Sequence, residues 1–293
     1  MDLPVPATIA LPVEPPIAVH RPVSQTVPIV FASAHSGALY PPDFIAAARL
    51  DPLTLRRSED SFVDELFAEA PGHGAPLLAA RFPRAYCDPN REPWELDPAM
   101  FEDPLPAWVN TTSSRVCAGL GTIARVVASG ETIYHGKLRF IDAERRIRQC
   151  WQPYHDTLSA LIGGTRAVFG GCLLVDCHSM PAQALGGRQS GADFVLGDAH
   201  GTACAPRFTR FVEQTLGALG YSVRRNDPYA GGYVTRHYGR PREGVHALQI
   251  EVARGLYMNE ARIERLPRFP AVQRDISTLM ARLAAEAARL LAP

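Results

Sequence analysis

Two apolar, β-branched runs that each close on a histidine constrain this chain more than any other feature. The first, Val-Pro-Ile-Val-Phe-Ala-Ser-Ala-His, begins at Val27, ends at His35 and is followed by Ser36-Gly37. The second, Gly-Gly-Cys-Leu-Leu-Val-Asp-Cys-His, ends at His178. Short continuous apolar runs bounded by glycine and turn residues predict strands buried on both faces, as in parallel sheets covered by helices. In open α/β sheets, ligands bind beyond the carboxyl ends of the strands. Two histidines at such ends therefore mark a candidate site.

Helical patterns fill the intervals. Between Asp142 and Leu161 the residues Ile147, Cys150, Trp151, Tyr154, Leu158 and Leu161 recur at three- and four-residue spacing, one face of an amphipathic helix. Similar patterns run from Phe62 to Ala70, Phe208 to Leu219 and Val272 to Leu291. Leu77 to Cys87 begins as a strand, Tyr221 to Arg225 is a further one, and Val245 to Glu251 another. Alternation of strands and helices predicts one α/β domain, a mixed sheet sandwiched between helices. Residues 1–26 carry Pro4, Pro6, Pro12, Pro15, Pro16 and Pro22, a density that opposes regular hydrogen-bonded structure and predicts an extended arm ahead of a domain spanning 27–293.

Charge removes several classes of function. Thirty Lys and Arg balance thirty Asp and Glu, so no overall field favours nucleic acid or an anionic membrane as partner. No apolar run reaches the roughly 20 residues that cross a bilayer, and the N-terminus lacks the pattern of a signal peptide, which predicts a cytoplasmic protein. Six cysteines are spread without a Cys-x-x-Cys pair, so they are expected as reduced thiols and not as zinc ligands.

The residues with chemical potential are few. Neutral imidazole is a preferred zinc ligand, and a catalytic zinc needs a third protein ligand, commonly a carboxylate, with one position left open. Asp60, beside Glu59 at a helix start, is the choice for that acid, and Asp64 one turn later is the alternative. Glu251 stands in Leu-Gln-Ile-Glu-Val-Ala-Arg, where strand alternation surrounds an ionisable group with apolar neighbours. An unpaired buried carboxylate costs several kcal/mol, so Glu251 needs a partner: a metal-bound water, or an arginine such as Arg254 in a structural ion pair. Asp88 to Glu92 contains Asn90 and Arg91, the latter able to grip a carboxylate in bidentate fashion. Arg225 to Gly239 gathers Asn226, Arg236 and His237 around Gly231-Gly232, where backbone can approach a ligand closely. Asp193 to Cys204 is turn-rich and contains His200. His155, on the helix with Trp151 and Tyr154, is assigned to packing or to support of the site.

Several of these segments, read together, resemble the N-formylglutamate amidohydrolase (N-formylglutamate deformylase) family from about Val27 to about Glu260. The matching pieces are Ala34-His35-Ser36-Gly37 with Tyr40-Pro41, the Asp60 helix start, Asp88-Pro89-Asn90-Arg91, Cys150 to His155, Leu173 to Pro181, Asp193 to Cys204, Gly231 to Gly239 and Ile250 to Glu260. The resemblance implies a zinc-exopeptidase-like fold, as in carboxypeptidases and aspartoacylases. It implies one zinc held by His35, Asp60 and His178, with Glu251 as general base. The related carboxypeptidase signature His-x-x-Glu is absent, since residue 38 is Ala38.

The activity that the resemblance implies is hydrolysis of the amide of a small N-acyl amino acid. N-formyl-L-glutamate would yield formate and L-glutamate, the last step of one histidine-degradation route. Arg91, Arg236 or His237 would stabilise the oxyanion beside zinc, and the remaining arginines, with Asn90, Asn226, Gly231 and Gly232, would hold the substrate. The rivals are a murein-peptide amidase on the same fold and a metal-binding protein without catalysis. Intact His35, His178 and Glu251 argue against the second.

Overall fold

The computed structural model describes residues 14–181 and 191–292. Within them, seven strands build one mixed sheet: β1 (Ile17–His20), β2 (Ile29–Ser33), β3 (Leu77–Ala80), β4 (Cys172–Met180), β5 (Phe194–Gly197), β6 (Val223–Arg225) and β7 (Val245–Ala253). Their order across the sheet is β1-β3-β2-β4-β7-β5-β6. β3, β2, β4 and β7 run parallel to one another, β5 joins β7 antiparallel, and β6 lies parallel to β5. Every residue of β2 and β4 is buried, as continuous apolar runs require.

Helices cover both faces, so the expected α/β/α sandwich with a mixed sheet is the observed architecture. One face packs against helices Pro206–Ala218 and Phe269–Leu291 and the single turn Val63–Leu66. The other packs against helix Gln152–Phe169 and the long segment 81–139. That segment is rich in proline, including Pro83, Pro89, Pro93, Pro98, Pro104 and Pro106. Proline removes backbone donors, and the segment forms only short turns and isolated bridges.

Four local expectations change. The Pro-rich arm is not free of regular structure. Ile17–His20, a proline-free interval between Pro16 and Pro22, pairs antiparallel with β3 as an edge strand, and residues 1–13 lie outside the described residues. The Phe62–Ala70 helix shrinks to Val63–Leu66 followed by a 3₁₀ turn at Ala70–His73, where Pro71-Gly72 interrupts the periodicity. The Asp142–Leu161 pattern belongs to a longer run, Phe140–Arg146 and Gln152–Phe169 joined by a π-helical turn at Ile147–Trp151 just before Pro153. Finally, β4 does not stop at His178 but continues to Met180, whereas β2 ends two residues short of His35.

The sheet prepares the site by a change of character along two strands. On one face of β4 the alternate residues are Cys172 and Leu174, then Asp176 and His178; on β7 they are Val245 and Ala247, then Gln249 and Glu251. The opposite face is apolar between His246 and Ser179, with Leu173, Val175 and Cys177 beside Leu248, Ile250 and Val252. Parallel pairing sets His178 opposite Glu251 and Asp176 opposite Gln249. Paired residues in a ladder point to the same side, so four polar groups emerge together at the carboxyl ends of the two central strands.

Candidate active site

His35, Asp60 and His178 converge at the carboxyl end of this sheet, each almost wholly buried, and one potential ligand atom from each lies within 4.8 Å of the others. Asp60 Oδ2 is 2.9 Å from His178 Nδ1 and 3.4 Å from His35 Nδ1. Asp60 sits not in a helix but in the turn ahead of Val63–Leu66, and its backbone N–H donates to the carbonyl of His35 at 3.0 Å. That bond ties the acid to the first histidine through the main chain. Asp64, one turn on, is outside this group; it lines a separate groove with His20 and Phe62, because the short helix turns its side chain away.

Each imidazole is oriented from its far nitrogen. His35 Nε2 donates to Asp88 Oδ1 at 2.7 Å, and His178 Nε2 donates to Asp176 Oδ1 at 2.9 Å. With the ring proton on Nε2, donated to these carboxylates, each Nδ1 is left with a lone pair on the side of Asp60, the arrangement by which outer carboxylates fix metal-binding histidines. His35 Nδ1 is buried and has no hydrogen-bond partner among the described residues. An orphaned imidazole nitrogen beside a second one and a carboxylate fits a divalent metal, so the three residues can hold such an ion. Burial alone would push Asp60 up, but its neighbours His178 and His35 hold it well below the usual carboxylate range. Asp88 is also buried, and Arg84, His35 and Arg91 hold it well below that range too.

Glu251 lines the same cavity, of about 410 Å³, and is buried. Its Oε1 accepts from Gln249 Nε2 at 2.9 Å. Arg254, the alternative structural partner, is committed elsewhere: Nη2 to Asp60 Oδ1 at 3.0 Å, Nε to Ser179 Oγ and Nη1 to the carbonyl of Arg57. Burial, reinforced by the charges of Asp60 and Asp176 and opposed by His178 and Arg254, pushes the Glu251 carboxyl up to about 7. A carboxyl with that affinity can both take and return a proton near neutrality.

The cavity wall is cationic. Arg84, Arg91, Arg115, Arg236 and Arg254 all line it. Arg84 pairs with Asp88 Oδ2 at 2.7 Å, as Arg254 does with Asp60. Arg91 is buried yet has no carboxylate at hydrogen-bond distance: Nε and Nη1 donate to the carbonyls of Leu120 and Asn90, and Asp88 Oδ2 is 3.8 Å from Nη2. Burial pushes its guanidinium down to about 10, against the pull of Asp88. Arg236, among the described residues, gives only its Nε, to the Gly231 carbonyl.

Asn90, Gly231 and Gly232 also line the cavity. A Cβ on Gly232 would lie 2.3 Å from Asn90 Nδ2, so only glycine lets the two walls approach this closely. Two expected members lie elsewhere. Asn226 binds Asp198, with Nδ2 to Oδ1 at 2.9 Å and its own Oδ1 accepting from the Asp198 and His200 amides, so it shapes that turn and does not line the cavity. His237 is exposed on helix Tyr233–Tyr238, stacked on Tyr233 at 4.8 Å, because helical spacing turns it away from the face that carries Arg236 toward the cavity.

The N-formylglutamate amidohydrolase family model matches residues 27–258. An N-formylglutamate deformylase of Pseudomonas aeruginosa is 30% identical over 241 residues, covering 80% of this chain and 83% of that protein. This chain belongs to the N-formylglutamate amidohydrolase family. An N-formylglutamate deformylase of Pseudomonas putida is 29% identical over 240 residues, with the same coverage of 80% and 83%. The crystal structure of N-formylglutamate amidohydrolase from Ralstonia eutropha JMP134 superposes with a TM-score of 0.89 at 39% identity, covering 94% of this chain and 99% of that one. Membership makes the protein an amidohydrolase. No described helix is long and apolar enough to cross a membrane.

Sequence reasoning missed Asp176, Gln249, Arg84 and Arg115 as members of the site. For the first two a signal was present: Asp176 and His178, and Gln249 and Glu251, are polar neighbours two apart in apolar strands, hence on one face. Arg84 and Arg115 lie in the irregular segment 81–139, where no periodicity says which side chains face inward.

Proposed function

We propose that the protein is a zinc-dependent deformylase that hydrolyses N-formyl-L-glutamate to L-glutamate and formate in the cytoplasm. The observation that carries this reading is the buried His35–Asp60–His178 group beside Glu251 in an arginine-lined cavity. His35 Nδ1, His178 Nδ1 and an Asp60 oxygen would hold the ion, and two imidazoles with one carboxylate suit zinc. Zinc, when bound, supplies Lewis acidity toward the formyl carbonyl and lowers the pKa of a water.

The remaining chemistry belongs to the chain. Glu251 takes a proton from the attacking water as the new C–O bond forms. It returns that proton to the amide nitrogen as the C–N bond breaks, so formate and the amino group of glutamate leave and Glu251 ends ionised as it began. Two of the five cavity arginines, Arg84 and Arg254, are paired closely with Asp88 and Asp60; Arg91 has only the more distant Asp88 at 3.8 Å, and Arg115 and Arg236 have no carboxylate partner among the described residues. N-formylglutamate brings two carboxylates, which match this surplus of positive charge. Arg91 takes one of them through Nη2, which unlike Nε and Nη1 is not given to a main-chain carbonyl among the described residues, and Asn90, Gly231, Gly232 and Arg236 complete the wall.

The test is formate release by zinc-loaded protein from N-formyl-L-glutamate, N-formyl-L-glutamine and N-formyl-L-norleucine. The dianionic substrate should have the highest kcat/KM. Stoichiometric zinc with no formate from any of the three would overturn the assignment, and equal rates on all three would overturn the carboxylate recognition.

A further inference from the structure

One motif has no part in this chemistry, yet it touches the loop that carries Asp88, the carboxylate that orients His35. Trp151 and His155 are one helical turn apart, their rings stacked with centroids 3.8 Å apart. Trp151 Nε1 donates to the carbonyl of Arg91 at 3.0 Å, and His155 Nε2 lies 2.8 Å from the carbonyl of Pro89. A carbonyl only accepts, so His155 carries its proton on Nε2, and its Nδ1 accepts from Tyr238 Oη at 2.9 Å. Tyr238 belongs to helix Tyr233–Tyr238, which follows Gly231-Gly232 in the opposite cavity wall.

These bonds hold the main chain directly after Asp88 and on either side of Asn90. Asp88 precedes Pro89 and accepts from His35 Nε2 at 2.7 Å; Asn90 follows it, with Oδ1 accepting from the amide of Val234 at 2.8 Å and Nδ2 packed at 3.2 Å against His178 Nε2, itself a donor to Asp176. The loop contains Pro89, which offers no amide hydrogen, so the carbonyls are what a neighbouring element can hold. Proximity alone does not explain donors at both carbonyls. A helix face made only for packing needs neither the indole N–H nor the imidazole N–H aimed at main chain, and buried polar groups of this kind specify one geometry.

We propose that Trp151 and His155 are positioning residues that clamp the Asp88–Arg91 loop, and through Asp88 set the orientation of His35. The clamp acts in the reaction by way of the proposed metal group, and rests on that reading for its effect on turnover but not for its effect on the loop.

The experiment compares His155→Phe, which keeps a ring between Trp151 and Tyr238 but has no N–H, with His155→Gln, whose amide can donate where Nε2 does. Amide hydrogen exchange of residues 88–91 in metal-free protein reads the loop directly. Zinc affinity by chelator competition and kcat/KM on N-formyl-L-glutamate read the consequence. His155→Phe should speed exchange of this loop, leave helix Gln152–Phe169 as protected as before, and weaken zinc about 10-fold, the lower end of the effect of losing a partner that orients a metal ligand. His155→Gln should recover most of each loss, and Trp151→Phe should move the same readouts in the same direction. Unchanged loop exchange in His155→Phe, or a lowered melting temperature with wild-type zinc affinity, would refute the clamp and leave a packing role. Failure of N-formyl-L-glutamate as a substrate would refute the proposed function alone, since loop exchange does not depend on it.

Discussion

Gly232→Ala tests how closely the two walls of the cavity are fitted. Gly232 has φ −86° and ψ −160°, extended backbone that alanine adopts, so conformational strain is not the issue. The added Cβ would lie 2.3, 2.5 and 2.6 Å from Nδ2, Oδ1 and Cγ of Asn90, about 1 Å inside ordinary contact. Asn90 cannot simply swing away, because its Oδ1 is held by the Val234 amide and its amide group packs against His178. Overpacking of a fitted interior costs about 1–3 kcal/mol, and loss of the Val234 hydrogen bond about 1 more. The expected loss of stability is therefore about 2–4 kcal/mol, read from denaturant unfolding, with kcat/KM lowered at least about 10-fold. The steric origin is checked by a double-mutant cycle. On an Asn90→Ala background the three clashing atoms are gone, so Gly232→Ala should then cost less than about 1 kcal/mol, a coupling of at least about 1 kcal/mol. Additive losses would refute the reasoning, because the clash would lie with some other group.

The same geometry sets four further outcomes. Glu251→Gln should keep zinc and fold, since Gln249 can still donate to the new amide oxygen, while kcat falls about 10²–10⁴-fold; near-normal turnover with full zinc would remove Glu251 as base. His35→Ala, His178→Ala and Asp60→Ala should each abolish stoichiometric zinc measured by atomic absorption, and Asp64→Ala should not. Arg91→Ala should raise KM for N-formyl-L-glutamate with His237→Ala as an unaffected control, and steady-state kinetics showing the reverse would exchange their roles. Burial, with Arg207 adding, pushes His246 down to about 4, so the unfolded chain takes its proton first as pH falls; His246→Gln should erase a stability advantage present above about pH 6.5 and lost toward pH 4, measured as the difference in melting temperature across that range.

Local sequence determined the strands β2, β4 and β7 and the helices Pro206–Ala218 and Phe269–Leu291, because hydrophobic period is a property of neighbouring residues. It also singled out His35, His178 and Glu251, since an ionisable group inside an apolar run costs too much to be incidental. Other features depended on contacts between residues far apart in the chain. Asp60 and Asp64 look alike in sequence; the Asp60 amide bonded to the His35 carbonyl decides which acid faces the histidines. Arg91, Arg236 and His237 are all candidates to meet an anion by residue type, but only the packing of segment 81–139 and helix Tyr233–Tyr238 turns the first two toward the cavity and the third away. Trp151 and His155 have the spacing of a core-facing helix stripe, yet their N–H groups meet the carbonyls of a loop some 60 residues earlier. Periodicity tells which residues share a face of an element; what that face meets is set by the tertiary structure, where main-chain groups distant in sequence must find partners.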